Sequence, residues 1–167
     1  MRCIRVRALL LLASAALVAC TQRSDARDPA DATLTPVVRS QIQSAVRNYV
    51  DVYNRADASA IMGLYARSPS LTVATDGEIT RGWESLRADI DSTVVGHAGS
   101  FRLDLGSTDI TALGRDHAMV LAPYTLVLAT TRGQVNERGA LTLILQRADS
   151  GWIVIHEHES STHPVTP

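Results

Sequence analysis

The chain has 167 residues and a formal net charge of −1, with 46% hydrophobic and 20% charged side chains. That is enough for one hydrophobic core and not for two. It has neither the basic excess that draws in nucleic acid nor the apolar depletion of a disordered segment, so polyanionic partners are not expected.

In chain order, Arg2, Arg5 and Arg7 come first, then an apolar run from Ala8 that closes on Leu17-Val18-Ala19-Cys20. A cationic start, a short apolar stretch and small residues before a cut make a secretory signal, and the run is too short to span a bilayer. The closing residues resemble the lipobox of bacterial lipoproteins. The resemblance implies that residues 1–19 are removed and that Cys20 becomes a diacylated N-terminus. The expected location is the cell envelope, anchored by lipid and facing the periplasm or the exterior. Thr21 stands where an Asp often signals inner-membrane retention, which favours the outer membrane. Cys3 leaves with the signal, so no cysteine pair remains to oxidise. Residues 20–33 lack an apolar period and read as a flexible tether. Residues 34–163 are the expected domain and 164–167 a tail.

Pro36 opens a long helical pattern in which Val38, Ile42, Val46, Tyr49, Val50 and Tyr53 recur on one face. Asp57 is placed to cap a second helix with Ile61, Leu64 and Tyr65 as its buried stripe, ended by Ser68-Pro69. A strand over 71–75, a turn at Asp76-Gly77 and a return strand over 78–81 follow, then a third helix marked by Trp83, Leu86, Ile90 and Val94. Beyond Gly99 the period becomes two. Extended segments are expected over 101–113, 117–129, 134–147 and 152–159, joined by tight turns into an antiparallel meander. Helices first and strands after give the α+β class.

Two segments carry a family resemblance. One runs from Tyr49 through Asn54 and Asp57 into Ile61, Leu64 and Tyr65; the other is the ending Trp152, His156, His158 and Ser160. Together they resemble the SnoaL-like branch of the nuclear-transport-factor-2-like superfamily. The resemblance implies three N-terminal helices packed in a strongly curved antiparallel sheet, a cone-shaped α+β barrel whose conical pocket admits a small, mostly apolar ligand. It also implies a homodimer through the sheet's outer face. The superfamily hosts isomerases, dehydratases, binding proteins and assembly modules, so fold alone does not select a function.

The pocket candidates are Tyr49, Tyr53, Trp83, Tyr124, Glu157 and Glu159. The ketosteroid-isomerase branch needs a helix-one Tyr, which Tyr49 supplies. Its base position falls near Thr75, beside Asp76, and residues 140–145 carry no acid, so that catalytic set is incomplete. Alternation along the last strand puts Trp152, Val154, His156, His158 and Ser160 on one face and Ile153, Ile155, Glu157 and Glu159 on the other. By analogy within the superfamily the glutamate face is the inner one, leaving His156 and His158 for a dimer contact. Two His at this spacing could bind a metal with His117 or Asp116 as a third ligand, but nothing in the sequence brings that ligand near, and no metal is expected. A buried Glu157 or Glu159 would serve as acid or base; beside Arg102 or Arg138 it would stay ionised and merely orient a ligand, and Tyr124 is a further candidate partner. Arginine pairing is the expected case. No phosphate cradle, nucleotide fingerprint or Ser-His-Asp order is present, so no cofactor is expected. Three roles follow: binding of a small organic molecule as the leading one, then acid/base catalysis through Glu157 or Glu159, then a dimeric interaction module without ligand.

Overall fold

A computed structural model describes residues 34–93, 100–130 and 133–162. The expected signal, Cys20, the tether, Val94 and the tail lie outside these residues. Helix α1, Pro36–Asn54, starts where Thr35 accepts from Val38 N–H and Pro36 fills a position that needs no donor. It buries Ile42, Val46, Tyr49 and Val52, while Val38, Val50 and Tyr53 pack at the margin of the core. Helix α2, Ala58–Met62, is capped by Asp57 through Ala60 N–H and is only five residues long. Leu64 and Tyr65, expected inside it, lie beyond its end. There the backbone of Leu64 and Ala66 bonds Val154 in a short parallel bridge. The stretch after α2 is therefore fixed to the sheet by backbone bonds, which outweigh a helical period of a single turn.

Strands β1 (Thr72–Thr75) and β2 (Glu78–Arg81) form a hairpin whose turn residues Asp76 and Gly77 both have positive φ, as a two-residue type I′ turn requires. Helix α3, Trp83–Thr93, follows and buries Leu86 and Ile90. The expected segment 101–113 is two strands, β3 (Phe101–Leu105) and β4 (Asp109–Ala112), which pair with successive stretches of one long partner, β5 (His117–Thr130). Gly106 sits at the break. Its N–H bonds Pro123 O, and a Cβ there would lie 2.8 Å from the Pro123 ring. Strands β6 (Gly133–Ala148) and β7 (Gly151–Thr162) complete a curved, unclosed sheet in the order β2-β1-β7-β6-β5-β3, with β4 also on β5. The meander is antiparallel as expected, but β1 joins β7 in parallel, Val73 opposite Glu157.

The last two strands change register. Ile144 faces His156, while the next residue, Leu145, faces Val154, which leaves Ile155 as the extra residue of a β-bulge. Strict alternation predicted that Val154 shares a face with His156 and His158. Across the bulge the parity flips, so Val154 is buried on the same side as Glu157. The helices pack against this side, and α1 is tied to β3 by Asn54, whose side chain both donates to Leu103 O at 2.9 Å and accepts from Leu103 N–H at 2.6 Å.

Candidate functional site

Helix α1, the stretch after α2 and the inner face of β7 converge on one carboxyl. Glu157 is 4% exposed. Two phenols reach it: Tyr65 donates to Glu157 Oε2 at 2.6 Å and Tyr49 to the same oxygen at 3.1 Å. The Tyr53 and Tyr65 hydroxyls are 2.6 Å apart, extending the chain of hydrogen bonds, and the Tyr49 and Tyr53 rings lie 4.6 Å apart at 34°. Because both tyrosines take Oε2, Oε1 is left for another partner.

Glu157 lies on the wall of a cavity of about 610 Å³, within the range of small-molecule sites. Phe101, Leu103, Leu126, Leu128 and Leu141 supply apolar wall, with Leu86 and Ile90 from α3. Tyr49, Tyr53, Tyr65 and Tyr124 add phenol faces, and Thr75, Glu78, Ile79 and Asp89 reach it from exposed positions at the rim. Glu159, two residues along β7 and half-buried, lies on the same wall.

Burial pushes the Glu157 carboxyl up to about 7; hydrogen bonds from Tyr65 and Tyr49 pull it down, and the charge of Glu159 pushes it further up. Burial also raises Glu159, opposed by Tyr124 and reinforced by Asp76 and Glu137. Tyr49, Tyr53 and Tyr65 are raised above the usual tyrosine value, first by burial and then by the Glu157 charge, so they remain donors at physiological pH. Tyr124 is buried, and its hydroxyl makes no hydrogen bond of normal geometry among the described residues, although it lies close enough to Glu159 to affect its ionisation.

Five of the six pocket candidates, Tyr49, Tyr53, Tyr124, Glu157 and Glu159, stand around this cavity. Trp83 does not. Its indole N–H donates to Met62 O at 3.2 Å and Arg67 covers its ring at 4.8 Å, so it braces α3 against α2 instead. The expected arginine partners are also elsewhere: Arg102 is exposed and pairs with Asp104 at 2.8 Å, and Arg138 is exposed. Asp76 is held by Ser161, from its N–H at 2.8 Å and its hydroxyl at 2.7 Å, and secures the hairpin to the end of β7. His156 Nδ1 meets Thr72 Oγ1 at 2.7 Å, and His158 is exposed. Asp116, in the β4–β5 connection, pairs with Arg147 of β6 at 3.6 Å, and no group of three metal-ligating side chains occurs among the described residues. Sequence reasoning did not find Tyr65 as a site residue. Its hydrophobic neighbours marked it as core, and only the turn out of α2 aims its hydroxyl at Glu157.

A protein-family profile described as the SnoaL-like domain matches residues 42–164. Among solved structures, the chain resembles an NTF2-like protein of unknown function from Shewanella oneidensis, at 22% identity over 73% of this chain and 98% of that one, with a TM-score of 0.62. A nuclear transport factor 2-like protein from Salmonella enterica matches at 19% identity over 80% and 96%, TM-score 0.69. A protein provisionally described as a dehydratase of the NTF2-like family, from Streptomyces avermitilis, matches at 14% over 79% and 100%, TM-score 0.67. At these identities the likeness establishes the fold alone. No curated protein matches the chain significantly.

Proposed function

From the premise that the chain belongs to the SnoaL-like domain family, we propose that it takes a small, mostly apolar organic molecule into its cavity and exchanges a proton with it through Glu157. The observation that carries this reading is a buried carboxyl on the cavity wall, held on one oxygen by Tyr49 and Tyr65. A carboxyl that ionises near neutrality is matched to proton transfer at working pH. As base, Glu157 accepts a proton from the ligand on Oε1 while the tyrosines stabilise the charge gathering on Oε2. As acid, it returns that proton to another ligand atom, which is isomerisation, or to a departing hydroxyl, which leaves as water. The Streptomyces relative's provisional description as a dehydratase is compatible with the second outcome.

A reading without turnover has its own support. Tyr49 and Tyr65 are both engaged by Glu157, so neither is free to stabilise a developing oxyanion, and ligand binding is then the whole role. We further propose, from the lipobox resemblance, that the domain is exported and anchored through Cys20 at the cell envelope and, from the family resemblance, that it pairs with a second copy through the outer sheet face that carries His156 and His158.

Carboxyl-carbon NMR titration of the ligand-free protein distinguishes the two roles. The acid/base reading expects Glu157 to titrate near 7. A midpoint near the ordinary value of 4.5 would leave binding alone.

A further inference from the structure

The cavity's charge is one-sided. Glu78 and Asp89 reach it at the rim, Glu159 is half-buried on its wall and Glu157 is deepest, while among the described residues no Arg, Lys or His side chain lines it. Carboxylates graded from rim to floor in a low-dielectric recess focus a negative potential inward. Such a recess repels a carboxylate or phosphate and concentrates cations.

Two further observations indicate what kind of cation. Aromatic faces stand among the acids: Tyr49, Tyr53, Tyr65, Tyr124 and Phe101. Aromatic walls with nearby carboxylates suit an organic cation, because the ring faces attract positive charge and the apolar wall takes the carbon skeleton. Tyr124 is 5% exposed, and its hydroxyl has no hydrogen-bond partner of normal geometry among the described residues. A buried oxygen with an unused lone pair beside Glu159 is a place for a ligand's N–H.

We propose that the ligand of this cavity is an organic cation, a small apolar body bearing a protonated amine whose charged end sits between Glu159, Glu157 and the Tyr124 hydroxyl. This rests on reading the cavity as a small-molecule site and adds the charge class of the molecule. A cation there relieves the repulsion between Glu157 and Glu159, so its binding is linked to proton release. The titratable groups facing Glu157 are Tyr49 and Tyr53 of α1, Tyr65 beyond α2 and Glu159 of β7; those acting on Glu159 are Tyr124, Asp76 and Glu137. None is basic, so acidification protonates carboxyls and weakens the site.

The test is calorimetric titration of the full chain with three probes of matched size: benzylammonium, benzyl alcohol and benzoate. At about pH 8 the ammonium should bind about tenfold or more tightly than the alcohol, and benzoate most weakly. Its advantage should shrink toward about pH 6 as Glu157 takes up a proton, and Glu159→Gln should narrow the gap between ammonium and alcohol. Equal affinity for ammonium and alcohol, or tightest binding of benzoate, overturns the cation inference and leaves the cavity reading standing. Binding of none of the three overturns both.

Discussion

Glu157 makes a thermodynamic statement as well as a chemical one. An exposed glutamate ionises near 4.5, and in the folded protein burial moves this one to about 7. Between those values the native state holds a proton that the unfolded chain has released, so this group's contribution falls as pH rises from about 4.5 to about 7 and is level beyond. The span corresponds to a penalty on the order of 3 kcal/mol above neutrality. Glu157→Gln keeps an oxygen to accept from Tyr65 and Tyr49 but never ionises. Its melting temperature should exceed that of the unsubstituted protein at about pH 8, with the gap closing toward about pH 5; thermal melts across that range check it, and a pH-independent gap would show that Glu157 ionises normally. At this scale much of the site was legible, since the parity of the last strand singles out Glu157 and Glu159 together. The arginine pairing was misread because closeness in the meander says nothing about which face a side chain takes. Arg102 and Asp104, two residues apart on β3, satisfy each other on an exposed face.

At the scale of elements, turn chemistry reads well and irregularity does not. Asp76-Gly77 and Gly114 mark strand ends because only such residues accept their positive φ cheaply. The bulge at Ile155 has no comparable marker, nor does the parallel pairing of β1 with β7, which joins segments some eighty residues apart. Gly139 on β6 illustrates a constraint visible only in three dimensions. It lies opposite Tyr124 of β5, with the Tyr124 ring folded across it and the Ser160 carbonyl of β7 on its other side, and a Cβ would collide with both. Gly139→Ala must push apart three strands or expel the Tyr124 ring. We expect a loss of about 1–3 kcal/mol in chemical denaturation, at the upper end because one of the obstacles is backbone. An unchanged denaturation midpoint would mean that β6 and β7 separate freely here. Trp152, half-buried under Arg147 at 4.9 Å, is a weaker anchor than a fully enclosed Trp.

For the whole molecule, the cavity exists only once distant segments meet, with α1 and α3 contributing side chains from the helices and β1, β3, β5, β6 and β7 from the sheet, so no local stretch of sequence contains the site. The proposed cellular address has the opposite character, because a processing signal is read in an extended chain before folding and the proposal rests on consecutive residues alone. Residues 20–33 extend at most roughly 45 Å at about 3.3 Å per residue, which sets how far from a membrane a domain anchored through Cys20 can work. Lipid transfer to such a signal requires a thiol as acceptor, and a serine hydroxyl in its place does not substitute. Cys20→Ser should therefore abolish incorporation of labelled fatty acid, with the folded domain and its ligand affinity intact, since Cys20 precedes the first described residue, Leu34. Continued incorporation of labelled fatty acid by that variant would show that Cys20 is not the acceptor and would overturn the anchor reading.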